Sequence, residues 1–99
     1  MITGKQRARL RAIANGCKTT FRFGKSTEID SPLVSEVERA LSARELIKLR
    51  VLNGSDYTAR EAAAELSART GSEIVQIIGT RFVLYKKSPD PLKRKIDID

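Results

Sequence analysis

The 99-residue chain has no histidine, no tryptophan and a single cysteine. Without histidine, the triads and dyads that use imidazole as general base are ruled out. Cys17 has no second cysteine to pair with, so a disulfide within the chain is excluded. A four-ligand cysteine–histidine zinc set is excluded for the same reason. A lone cysteine fits a reducing compartment, and Cys17 reads as a small, partly buried apolar residue. No apolar run approaches the roughly 20 residues of a membrane span. The opening Met1-Ile2-Thr3-Gly4-Lys5-Gln6-Arg7 lacks the apolar block of a signal peptide. A cytoplasmic location and no membrane partner are therefore expected. Acid is missing as well, from the whole of residues 1–25.

That last absence organises the charge. Lys5, Arg7, Arg9, Arg11, Lys18, Arg22 and Lys25 stand unopposed in the first quarter of the chain. The remaining residues hold as many acids as bases, so the net +7 belongs to that quarter alone. A field polarised in this way points to a polyanionic partner. An anionic membrane surface fits less well, because no helix here pairs a strongly apolar face with that charge. The composition, 40% hydrophobic and 31% charged, is that of a globular chain long enough for one core.

Along the chain, Thr3 is placed as an N-cap and Gly16 as the residue just past a helix end. Leu10 and Ile13 mark the apolar stripe of that helix, with Ala14 at its edge. Lys5 and Arg9 flank the stripe on one side, Arg7 and Arg11 on the other. Thr19 to Phe23 reads as a strand with Phe21 and Phe23 on one face and Thr20 and Arg22 on the other. Ser31-Pro32 starts a second helix, whose stripe is Leu33, Val34, Val37, Ala40 and Leu41, ending near Ser42-Ala43. Leu46 to Leu52 alternates Ile47, Leu49 and Val51 against Lys48 and Arg50. Those two cations are compatible with an open basic face or with a face covered by the first helix. Thr58 with Glu61 forms a capping box, Ala59, Ala62, Ala63 and Leu66 form a third stripe, and Gly71 ends the helix. Glu73–Ile78 and Phe82–Lys87 read as a hairpin turning at Gly79-Thr80-Arg81. The predicted order is α-β-α-β-α-β-β, an α/β fold with a mixed four-stranded sheet and packed helices. One domain is expected over 1–87, with 88–99 as a tail carrying Lys93-Arg94-Lys95.

No catalytic constellation stands out. Glu36 and Glu38 diverge on their helix, and neither a Walker A loop nor a dinucleotide-binding glycine fingerprint is present. No cofactor, metal or small-molecule substrate is implied, and no enzymatic activity is expected.

Four blocks in order carry a resemblance: Lys5-Gln6 with Leu10-Arg11, Phe23-Gly24-Lys25, Ala43 to Lys48, and Thr70-Gly71 through Val75–Gly79 to Phe82–Lys86. With them the chain resembles the YhbY/CRM family of small RNA-binding domains over about residues 2–87. The resemblance implies a fold similar to the C-terminal domain of bacterial translation initiation factor three. It also implies binding to structured RNA, with ribosomal RNA of a precursor large (50S) subunit as the expected partner. The single-domain length matches the bacterial form of the family. The family usually places Gly-Lys-Xaa-Gly after its first strand, a loop likened to the glycine loop of KH domains. Here Thr27 stands where the second glycine belongs. Lys25 still supplies charge there, and free backbone N–H groups would form an anion nest. The candidate RNA-binding residues are Lys5, Arg7, Arg9, Arg11, Lys18, Arg22, Gly24, Lys25 and Arg81. Tyr85 fits either a stacking or a core role. A general RNA chaperone, a splicing-type module and a basic protein-interaction module remain the alternative readings.

Overall fold

The computed structural model describes residues 2–25, 27–88, 90, 92 and 96. The elements follow the expected order: α1 (Gly4–Ala14), β1 (Thr19–Phe23), α2 (Ser31–Arg44), β2 (Leu46–Val51), α3 (Ala59–Thr70), β3 (Glu73–Ile78) and β4 (Arg81–Tyr85). Local chemistry sets the helix ends. Thr3 and Thr58 each close a reciprocal capping box, with Gln6 and Glu61 at the third helical position. The N-cap of α2 is Asp30, one residue before the Ser31 at which the helix was expected to start. Asp30 accepts from the Leu33 amide at 3.0 Å, and Ser31 is already helical. Gly71 ends α3 with φ 70, the left-handed conformation glycine adopts without penalty.

The sheet order is β1-β2-β4-β3, with β1 parallel to β2 and β4 antiparallel to both of its neighbours. Two crossovers, through α2 and α3, run the same way along the sheet. Right-handed connections then put both helices on one face. There Phe23, Val37, Leu41, Ile47, Leu49, Leu66, Phe82 and Leu84 form the main core, with the Phe23 and Phe82 rings stacked 6.2 Å apart. The small Ala59, Ala62 and Ala63 let α3 approach closely. Of the three helices, α1 packs on the opposite face, where it buries Leu10 and Ala14 against Leu46, Val75, Val83 and Tyr85. The stripe of α1 is thus Leu10 and Ala14. Ile13, expected in it, is 36% exposed, because it lies off the Leu10–Ala14 line, one turn apart on the helix, that meets the sheet. Tyr85 belongs to this smaller core.

Glu45 joins the pieces. It is wholly buried, caps α2 with φ 64, and accepts the Lys86 amide on its carbonyl. Its carboxylate accepts the amides of Ser88 at 2.6 Å and Ile96 at 3.0 Å. A buried carboxylate is tolerated only with such charge-assisted donors. Ile96 also packs against the smaller core. Two described residues of the expected tail are therefore held against the domain, whereas Lys93, Arg94 and Lys95 lie outside the described residues.

Candidate nucleic-acid interface

The register of the sheet decides where charge collects. Arg22 pairs with Arg50, Arg50 with Arg81, and Arg81 with Ile78. Each of the three arginines alternates with a residue of the main core, so all three project from the α1 face. They form one row across three strands, spaced by the ~4.8 Å between neighbouring strands. Lys48 lies two residues back along β2, opposite Val83, which on its other side faces Gln76. Arg22 and Arg81 are exposed, while Arg50 and Lys48 are half-buried. Like charges directly opposite one another destabilise a sheet. Yet none of these four side chains has an ion pair among the described residues, although Arg69 and Glu65 form one at 3.4 Å on α3. The Nε of Arg50 is buried without a hydrogen-bond partner.

The row ends where the loops are. β1 and β2 are parallel, so Gly24-Lys25 and Asn53-Gly54 leave the sheet on the same side. The Gly79-Thr80 turn joins them, its Thr80 carbonyl accepting the Val51 amide at 2.7 Å. Gly79 has φ 57 and Thr80 does not have positive φ, the pattern of a type II′ hairpin turn. Arg81 was expected inside that turn but is the first residue of β4, because two residues suffice to close the hairpin. Lys25 is exposed and sits beside Gly54, where a Cβ would come 3.9 Å from its own.

The turn after β1 is closed from within. The Thr27 hydroxyl accepts the Gly24 amide at 3.0 Å, and the Thr27 amide donates to the Gly24 carbonyl at 3.2 Å. The Gly24 N–H is thus engaged and is not one of the free N–H groups an anion nest in this loop would need, since threonine supplies an acceptor that glycine lacks. Lys25 remains the exposed charge of this turn.

The remaining candidates are on or after α1. Lys5, Arg9 and Arg11 are exposed on the helix, and Lys18 is exposed beyond it. Arg7 turns inward instead. Its guanidinium donates to the Ile74 carbonyl and, at 3.2 Å, to the Val75 carbonyl. The β3 register shifts between Ile74 and Gln76, and Arg7 takes carbonyls at that irregular edge. The structure therefore brings Arg22, Lys25 and Arg81 together, adds Arg50 and Lys48, and uses Arg7 to dock α1. Alternation along β2 had pointed to Lys48 and Arg50, but only the insertion of β4 beside β2 aligns them with Arg81.

The other electrostatic feature is remote. The Glu61 carboxyl is held below its ordinary value by the backbone N–H of Thr58 and then by its hydroxyl. Among the described residues no group of three or more metal-ligating side chains is gathered. No helix among them is long and apolar enough to cross a membrane.

Residues 2–86 match the family model described as the CRS1 / YhbY (CRM) domain. The chain is 38% identical over 90 residues to the Bacillus subtilis (strain 168) protein named "Probable RNA-binding protein YqeI", covering 91% of this chain and 93% of the relative. It is 29% identical over 97 residues to "Probable RNA-binding protein PA4753" of Pseudomonas aeruginosa, covering 98% and 92%. The solution structure of SAV1595 from Staphylococcus aureus matches with a TM-score of 0.75 and 35% identity, over 98% of this chain and 100% of that one.

Proposed function

Because the chain belongs to the CRS1/YhbY (CRM) domain family, we propose that it binds RNA, and specifically ribosomal RNA of precursor large subunits during assembly in the cytoplasm. The observation that carries the reading is the row of Arg22, Arg50 and Arg81, cations held in register at a cost to the sheet and without acids to offset them. A phosphate backbone is the polyanion that fits such a row, with Lys25 and Lys48 at its flanks. The names of the relatives from Bacillus subtilis and Pseudomonas aeruginosa support RNA as the class of partner. The exposed Lys5, Arg9, Arg11 and Lys18 extend the same field over α1 and beyond. The mechanism is stoichiometric binding rather than turnover. Phosphates are neutralised by the basic face, and the shape of the RNA rather than a base code sets the target.

Two measurements test the reading. In a gradient, the protein should co-sediment with precursor large subunits, and RNase should release it. Survival of the association after RNase would favour a protein partner for the basic face. In a titration with a ribosomal RNA fragment, about four phosphate contacts give a log–log salt slope of roughly −3 to −4. A slope near zero would remove the electrostatic mechanism.

A further inference from the structure

On the α1 face a notch lies between the C-terminal end of α1 and the β3–β4 hairpin. Its walls include Asn15, Lys48, Gln76, Ile78, Arg81 and Val83, and its cavity volume is about 120 Å³. Resting on the RNA reading, we propose that this notch takes one unpaired nucleobase, so that the RNA recognised carries a nucleotide splayed out of its helix.

Three properties of the notch meet in a nucleobase. The first is apolar surface. Ile78 is 62% exposed at the rim, available to lie against a flat ring. Second, Asn15 and Gln76 face the notch from opposite elements. Each amide offers a carbonyl acceptor and an NH₂ donor. Neither side chain has a hydrogen bond among the described residues. Adjacent donors and acceptors are what the edges of a base present. Third, Lys48 and Arg81 stand at the same notch and continue into the arginine row, where the phosphates flanking that base would lie.

Size and access narrow the occupant. A cavity of about 120 Å³ is well below the ~300–1,000 Å³ of a small-molecule pocket, which argues against a metabolite or cofactor. An A-form duplex does not offer a single base to enter a notch, since its shallow minor groove shows only stacked base edges beside the 2′-hydroxyls. Side chains cannot read its deep, narrow major groove, so sequence-reading amides meet bases that are unpaired. The neighbouring arginines bind any RNA backbone. The notch is what would distinguish a bulge or loop from a continuous stem.

The test uses an RNA hairpin whose stem carries one unpaired adenosine, and the same stem fully paired, at matched salt. The bulged RNA should bind about tenfold more tightly, the scale of one well-read base. With 2-aminopurine at the unpaired position, its fluorescence should change on binding as the base enters the notch. Asn15→Ala with Gln76→Ala should erase the preference and leave the salt slope unchanged, because no cation is removed. Circular dichroism checks that the double variant is folded, and the fluorescence readout on the unaltered protein does not depend on it. Equal affinity for the two RNAs, an unchanged fluorescence, or a preference that survives in the folded double variant would overturn the proposal. Binding to neither RNA would refute the RNA reading itself, and the inference with it.

Discussion

The two faces of one sheet have been given opposite tasks. The face under α2 and α3 is closed, with Leu49, Phe82 and Leu84 at most 1% exposed. The face under α1 is closed at one end only, by Leu10 and Ala14, and leaves the arginine row open at the other. Both faces are written by the same strands. Along β2, Ile47, Leu49 and Val51 serve the first, and Lys48 and Arg50 serve the second. Stability is concentrated where side chains are apolar and enclosed. The proposed recognition surface lies where charges oppose one another and would be better separated for the fold alone. One helix on one face, set against two on the other, is enough to create the division.

The comparison can be broken first on its closed side. Phe82→Ala removes a ring stacked on Phe23 and should cost about 3–5 kcal/mol of stability, read by urea denaturation. A loss under 1 kcal/mol would mean that this face is not where the fold is supported. Next comes the open side. Arg22→Ala with Arg81→Ala should make the salt slope for RNA shallower by about two. The same change should leave stability unchanged or raise it by ~0.2–1 kcal/mol for each relieved pair. A marked destabilisation would show that the row serves the fold after all. Lys25→Ala alone should reduce the slope by about one, with no change in melting temperature, because the side chain is exposed and outside the sheet.

The smallest effect contrasts the helices of the two faces. Helix α1 closes its capping box with Gln6, α3 with Glu61. The folded-state carboxyl of Glu61 is depressed by its Thr58 donors. Its contribution is complete above the unfolded carboxylate range and is lost as pH falls through the depressed folded value. Glutamine preserves the box without titrating. Glu61→Gln should therefore flatten this part of the acid side of the stability profile, measured by thermal melts from neutral pH downward. Gln6→Glu should introduce a dependence of the same sign in α1. Identical profiles for the original and Glu61→Gln proteins would sink this account.

Period and punctuation made the element order legible. Alternation in β2, the alanine stripe of α3, Thr58 with Glu61, and Gly71 each fixed an element on local grounds. The family blocks pointed to the same order by a separate route. What escaped was non-local. Nothing within β4 says that it inserts between β2 and β3, and without that pairing Arg22, Arg50 and Arg81 are three unrelated residues. Arg7 looks like any other cation of α1 until the irregular edge of β3 is in place to receive it. Thr27 was legible as a departure from the glycine loop. Its hydrogen bond to Gly24 depends on the turn being closed. Asn15 belongs to no motif, and Gln76 lies in the Val75–Gly79 block with nothing there to single it out, since the two meet only across the notch.

Glu45 has a consequence for how the molecule breathes. One carboxylate accepts from both Ser88 and Ile96, and its carbonyl from Lys86, while the residue itself terminates α2 at a φ of 64. Such a backbone conformation costs on the order of 1–3 kcal/mol and persists only where its surroundings hold it. Opening at any of these amides therefore loosens the anchor of the others. In hydrogen–deuterium exchange, the Ser88 and Ile96 amides should exchange together with those of the β4 terminus, as one cooperative unit instead of a fraying end. The last described residues of the chain thus report on the integrity of the sheet from a position some 50 residues after the side chain that secures them.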